Sequence, residues 1–352
     1  QRAEKENHSY CFPNRIEEVL ILQDAVRLNI HGAKAAYSLG NFWYANRQYD
    51  NAIACWEHSA AIEPTFPTVW RNLSLAYYNK RNDKQRALET LEKAYALDEH
   101  DSRILMELDQ LYKRLGRPHT ERLAFLEAHL SEVEQRDLSI ERITLYNQLG
   151  RYTEAKELIA ARNFHPWEGG EGKITGQYVL CRIELAKIAL SEKRYADALV
   201  LLDETNVYPF NLGEGKLANA EENDIWYYKG EALRGLGNEQ QAIDCFIKAT
   251  IGSSEPQQAF FYNDQQPDKI FYQGLAWRAL GREDKACGCF NKLIKHGEKH
   301  LFDHCRIDYF AVSLPDLAIW EDDLDKRNRI HCNYVMGLGC LGLREMGKAI
   351  DF

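Results

Sequence analysis

The sequence predicts an all-α fold in which antiparallel helix pairs stack one after another as an α-solenoid of about eight repeats. Three observations predict it. A small residue followed twelve positions later by alanine recurs along the chain, and an aromatic or apolar residue keeps step three positions after each small one. The composition of the 352 residues, 45% hydrophobic and 28% charged, is that of a folded globular chain and excludes a disordered or collagen-like one. No run of 18 apolar residues is present to span a bilayer. The 44 Lys+Arg against 53 Asp+Glu give a formal charge of -9, which disfavours nucleic acid, because such binding rests on neutralising phosphates with a basic surface.

Arg15 to Asn29 reads as a lone second helix of a preceding, truncated repeat. The strongest anchor pairs then follow at Gly40/Ala52, Gly230/Ala242, Gly274/Ala286 and Gly337/Ala349. Weaker copies fall between them: Ser74 with Ala87 one residue late, Asp109 with Glu121 in place of alanine, Ile143/Ala155 and Ala186/Ala198. Small residues at both positions let two helix backbones approach closely. The stripe residues Trp43, Tyr77, Tyr112, Tyr146, Ala189, Leu233, Trp277 and Cys340 follow on the first helix, and Trp56, Leu91, Phe125, Ile159, Leu202, Phe246 and Phe290 supply knobs from the second.

Anchor spacings run 34, 35 and 34, then 43, 44 and 44, then 63, so the array changes character at about residue 160. Four stretches result: a tail with a truncated repeat (1–32), regular repeats (33–162), longer repeats with inserted loops (163–300), and an insertion with an incomplete terminal repeat (301–352). The opening at Gln1 and the unfinished helix at Phe352 read as a piece cut from something larger. All the extra length falls between a second helix and the next first helix, which places the insertions along one edge, where loops tend to carry function.

Two insertions are near-copies, His165 to Lys173 and Tyr208 to Lys216, sharing aromatic-Pro-aromatic-x-x-Gly-Glu-Gly-Lys. A phosphate loop needs Gly at the position of Trp167 and Phe210 and Ser or Thr at that of Ile174 and Leu217, so nucleotide binding is not expected. The simpler reading is a glycine-permitted turn with φ > 0 and Pro-flanked aromatics pinned to the adjoining helix. The binding alternative presents Trp167, Glu171, Lys173, Phe210, Glu214 and Lys216 to a ligand or a neighbouring domain. His296, His300 and His304 are spaced i, i+4, i+8, but Gly297 weakens a helix there and the three cannot easily converge on one ion, so a solvated helix end is expected and no metal. The acidic runs Glu221, Glu222, Asp224 and Glu321, Asp322, Asp323, Asp325 read as first turns of helices, where carboxylates complement the dipole. No nucleophile or hydrolase signature occurs, which argues against catalysis by this segment, and no cofactor is implied. Nine cysteines without disulfide-scaffold spacing favour a reducing, cytoplasmic setting.

With Leu39-Gly40, Trp43, Tyr49, Ala52, Trp56 and Pro64 in place, the first unit resembles the tetratricopeptide repeat, as do the sixth and seventh, the third and fourth less so. The resemblance implies a right-handed superhelix whose first helices line a concave groove. On that face lie Tyr37, Arg71, Tyr227, Phe271 and Tyr334, three before an anchor, and Tyr44, Tyr78, Asn147, Arg234 and Arg278, four after one. Tyr, Phe and Arg are residue types enriched at binding hot spots. Some of these positions are expected to be covered where inserted loops fold inward. Some members clamp a peptide carboxylate; Asn41, Asn72 and Arg103 match that pattern, whereas Tyr37 and Glu107 stand where Lys and Arg are wanted, and Glu107 would repel a carboxylate. Strings such as Asn72 to Asn79, Met106 to Leu111 and Asn328-Arg329-Ile330-His331 look like the repeat region of large bacterial proteins that carry a β-rich domain of unknown function ahead of it.

The expected function is therefore a non-catalytic scaffold that binds a protein, a peptide or the neighbouring domain of its own chain. The alternative is an accessory part of a carbohydrate-acting enzyme whose catalytic domain lies outside this fragment, with Glu171 and Glu214 walling its site. Oligomeric state is left open.

Overall fold

The computed structural model describes residues 3–9, 11–135, 138–166, 170–257, 266–305 and 319–352. Among these the chain is all helix and turn, with 18 α-helices, three short 3-10 helices and no strand. A lone helix, α1 (Ile16–Leu28), comes first. Eight pairs follow, each around one predicted anchor: α2 (Ala33–Ala45) with α3 (Tyr49–Ile62), α4 (Pro67–Arg81) with α5 (Lys84–Leu97), and α6 (Ser102–Arg114) with α7 (His119–Glu127). After a single short helix, α8 (Leu130–Gln135), come α9 (Ser139–Gln148) with α10 (Tyr152–Ala160) and α11 (Lys173–Ser191) with α12 (Tyr195–Asp203). The last three pairs are α13 (Asn223–Gly235) with α14 (Glu239–Ala249), α15 (Pro267–Ala279) with α16 (Glu283–His300), and α17 (Leu324–Gly342) with α18 (Met346–Asp351).

The small anchors sit where helices touch. A methyl group built on Gly40 would overlap the Trp56 indole, and one on Gly230 or Gly274 would overlap the ring of Phe246 or Phe290. The knob of the second helix thus lies flat on the bare backbone of the first, and the opposing Ala52, Ala242 and Ala286 are fully buried. Two of the weaker copies solve the same crossing with polar chemistry. Ser74 donates its hydroxyl to the Ala87 carbonyl at 2.6 Å. Asp109 accepts two hydrogen bonds, at 3.0 and 2.7 Å, from Arg122, the neighbour of the Glu121 that stood where alanine was wanted.

Every first helix ends in one kind of turn. The N–H groups of Gln48, Asp83, Arg117, Arg151, Arg194, Asn238, Arg282 and Glu345 return to the carbonyls of the eight stripe residues, Trp43 through Cys340. In seven units this is the six-to-one bond of the Schellman closure, and at Asp83 it is one residue wider; each has a left-handed residue just before it. That residue is Gly116, Gly150, Gly237 or Gly281 in four units, and Arg47, Asn82, Lys193 or Arg344 in the others. Asn82 comes one residue later after its anchor than the rest, which accounts for the late Ala87. Side-chain caps from Asp83, Asp101 and Asp323, and prolines at the start of α4 and α15, fix several helix beginnings.

The chain divides into two units. The first takes the described residues up to 139 together with 319–321; the second takes those from 140 on apart from these three. In the first, Tyr37, Trp56, Val69, Leu73 and Tyr77 form one apolar cluster and Leu91, Ile104, Leu108, Leu111 and Trp320 another. In the second, clusters around Ile183 and Leu202, around Phe246, and around Ile270 and Leu293 follow successive pairs. All nine cysteines are free thiols, and among the described residues no helix is long and apolar enough to cross a membrane.

Candidate binding grooves

In the first unit the predicted groove residues form one hydrogen-bonded chain across three repeats. Asn41 accepts from the Trp56 indole at 3.1 Å and from the Asn72 amide at 2.9 Å. Asn72 in turn accepts from Arg71 at 3.1 Å, and Arg71 donates to both oxygens of Glu107 at 2.6 and 2.5 Å. Arg103 adds a third bond to Glu107 at 3.0 Å. Glu107 is fully buried, and two guanidinium groups enclose the charge that was expected to repel a ligand carboxylate. Tyr37 is buried edge-on against Phe66 at 4.8 Å.

Two segments of the chain itself lie on this face. From the N-terminal tail, Cys11 offers its carbonyl to Asn41 at 2.7 Å, Ser9 accepts from Thr68 at 3.1 Å, and His8 meets Ser38 at 3.3 Å. Farther along, Asn79 holds the main chain of a distant segment. Its amide donates to the Ile319 carbonyl at 2.8 Å and its oxygen accepts from the Glu321 N–H at 2.9 Å. Between them Trp320 is 1% exposed, its ring edge-on to Tyr78 at 5.1 Å and its indole N–H on the Glu107 carbonyl at 3.2 Å. Tyr44, beside Tyr49 and Trp56, completes this face, and burial raises its pKa. The insertion before α17 thus supplies an inward cover, of the kind the loops were expected to give. Neither Asn79 nor Trp320 was singled out by sequence; the only signal was an Ile-Trp pair set in an otherwise acidic stretch.

In the second unit the first-helix face is partly open. A cleft of about 590 Å³ is bordered by Lys187 and Leu190 of α11, Tyr195 of α12, and Tyr227, Tyr228, Glu231 and Arg234 of α13. Tyr227 packs on Tyr228 and Tyr272 with centroids 5.3 and 5.8 Å away, while the hydroxyls of Tyr228 and Tyr272 meet at 3.0 Å. Burial raises the Glu231 carboxyl above its ordinary range, with Arg234 opposing. Arg234 and Arg278 share a second task. Arg234 donates to the Ala279 carbonyl at 3.2 Å and Arg278 to that of Gly342 at 2.8 Å, each time the last residue of the next repeat's first helix. Each thereby satisfies a helix C-terminal carbonyl and places a cation against the dipole. Asn147 bridges from α9 to Gln177 of α11 at 2.8 Å. Phe271 packs against Tyr272 and Phe290, and Tyr334 is half-exposed.

The twin loops interlock. Asn211 donates to the carbonyls of Ile159 and Arg162 at 2.8 and 2.9 Å, and Phe164 returns its N–H to the Asn211 carbonyl at 2.7 Å. Glu214 accepts from the Gly172 N–H and the Thr175 hydroxyl at 3.0 and 3.2 Å, at the start of α11. Lys216 reaches the Thr205 carbonyl and Glu222. Gly172 and Gly213 take the left-handed backbone that the turn reading asked for, with φ of 76° and 71°. Phe210 is almost wholly exposed, not pinned to the adjoining helix as the turn reading had it; Glu171 and Lys173 flank the α11 start, and Trp167 lies outside the described residues.

The histidine run departs from a simple helix end. α16 continues through Gly297 to His300, and at that glycine the Met336 side chain and the Cys332 carbonyl of α17 approach so closely that a side chain would clash. His296 stacks on His300 at 4.6 Å, and burial together with His300 and His331 pulls its pKa down to about 4. His300 meets Asp303 at 2.7 Å, and His304 meets Asp325 at 2.8 Å. Among the described residues no group of three or more His, Cys, Asp or Glu is placed to hold a metal.

Residues 270–296, from α15 into α16, match the family model described as tetratricopeptide repeat. Solved structures resemble the chain over much of its length. A tetratricopeptide repeat protein from Parabacteroides merdae is 14% identical, covers 78% of this chain and 92% of its own, and has a TM-score of 0.39. A Naa15/Naa10 complex bound to HypK-THB is 12% identical, with 93% of this chain and 52% of that one covered and a TM-score of 0.47. YrrB, described as a TPR protein with an unusual peptide-binding site, is 14% identical over 65% of this chain and 90% of its own, with a TM-score of 0.29. At these identities no residue role passes from them to this chain.

Proposed function

We propose that this tetratricopeptide-type solenoid is a non-catalytic interaction scaffold that takes an extended segment of a protein partner on its first-helix faces. The carrying observation is the cleft between α11 and α13, where tyrosines, a lysine, a glutamate and an arginine stand side by side around an open volume of about 590 Å³. Aromatic groups at a concave surface give large contact area with few rotatable bonds, and charged groups beside them fix the direction of a bound chain. Glu214, one of the two carboxylates a catalytic reading would draw on, is committed to the start of α11.

The test uses a peptide selected from a random display library on the purified chain. Lys187→Ala and Glu231→Gln, both on the cleft rim, are expected to weaken it about tenfold each, equivalent to about 1.4 kcal/mol. Gln240→Ala, exposed on α14, is expected to leave it unchanged. Selected peptides that bind all three variants as they bind the parent would rule out this face as the site.

A further inference from the structure

We infer that the face formed by α4 and α6 is a binding site for a short peptide segment bearing tryptophan followed by an acidic residue, and that 319–321 is the chain's own occupant of it. The inference rests on the reading of first-helix faces as peptide sites and adds the ligand's chemistry and a regulation.

Three features set this contact apart from ordinary core packing. The first is main-chain recognition by a side chain. The two ends of the Asn79 carboxamide take the Ile319 carbonyl and the Glu321 N–H, so two bonds hold the main chain on either side of Trp320 whatever its side chains. The second is a fitted apolar slot. Trp320 enters the cluster of Leu108, Leu111 and Tyr112 beneath Tyr78, and its one polar atom is satisfied by the Glu107 carbonyl. Main-chain bonds that confer affinity and a side-chain pocket that confers selectivity are the two parts of peptide recognition, and tryptophan is among the residue types enriched as buried anchors. The third is charge. Lys80 pairs with the Glu321 carboxylate, which favours an acidic residue directly after the tryptophan, and Arg114 adds a bond to the Glu321 main-chain carbonyl at 3.3 Å.

The occupant comes from more than 200 positions away, and only three of its described residues belong with this unit. A tethered segment of this kind competes at an effective concentration on the order of millimolar. A free peptide of the same chemistry therefore sees a site that is mostly filled, and its apparent affinity falls by the fraction of open faces. Loosening the occupant opens the site.

The probe is a fluorescein-labelled peptide of residues 317–323, Leu-Ala-Ile-Trp-Glu-Asp-Asp, followed by anisotropy. Trp320→Ala is expected to bind it at least tenfold more tightly than the parent chain, and adding Asn79→Ala is expected to abolish that gain. Glu321→Lys keeps the indole and alters only an exposed side chain, so it tests the same point without emptying the slot; it is also expected to raise peptide affinity. A Trp320→Ala chain of unchanged circular dichroism that fails to bind, binding by Trp320→Ala that survives Asn79→Ala, or a Glu321→Lys chain no better than the parent would overturn the proposal. The α11–α13 cleft lies in the other unit and reads out with its own selected peptide. Failure here with retained cleft binding removes only this site, and failure of both removes the scaffold reading itself.

Discussion

Replacing Asp109 by alanine is expected to destabilise the first unit by about 3–5 kcal/mol, although it gives the third repeat the small anchor that the other repeats favour. Arg122 is the reason. It is 1% exposed, its guanidinium is bonded to the Asp109 carboxylate through two nitrogens, and removing that carboxylate leaves a cation buried. A loss of this size is a large part of the roughly 5–15 kcal/mol that holds an ordinary domain together. Chemical denaturation of the two chains measures it directly. Removing both charges, with Asp109→Ala and Arg122→Met together, is expected to recover most of the loss, since no unpaired charge then remains. A single-variant cost below about 1 kcal/mol, the range of exposed ion pairs, would show that the pair is not buried as described.

Phe290→Ala is expected to cost about 3–5 kcal/mol. This ring is fully buried and fills the space over two bare backbones, Gly274 of its own pair and Gly342 of the next. The reciprocal change, Gly274→Ala, brings a helix-propensity gain of about 1 kcal/mol, yet it is expected to destabilise by about 1–3 kcal/mol net, because the new methyl overlaps the ring. Placed in a Phe290→Leu background, where the side chain is smaller and can turn aside, the same glycine substitution is expected to cost at least 0.5 kcal/mol less. Additive costs across that cycle would mean the glycine is not held small by the ring.

The helix pairs were legible because period and residue size are printed in the sequence. Small anchors, stripe residues and knobs recur at fixed offsets, and each offset corresponds to a contact that a single pair makes with itself. The crossings at Ser74 and Asp109 read only as weak copies, since a hydroxyl to main-chain bond and a buried ion pair leave no small-residue signature. Arg234 and Arg278 were legible as first-helix face residues, but their bonds to Ala279 and Gly342 were not, because a sequence does not display which main-chain carbonyls come within reach. Trp320 was the least accessible feature. No periodicity relates Asn79 to a residue more than 200 positions later, and Glu321 reads like its neighbours Asp323 and Asp325, which do serve the start of α17. Local pattern identifies the repeats, whereas the segments that lie on them are fixed by tertiary contacts alone.

The central claim is that ligands of this chain lie on the first helices of the pairs. Hydrogen–deuterium exchange of the chain with and without a display-selected peptide tests it most directly. The account predicts slowed exchange in α11 and α13, and at the start of α12 where Tyr195 borders the cleft, with α14 unchanged; slowing confined to α14, or to the loops between pairs, would contradict it.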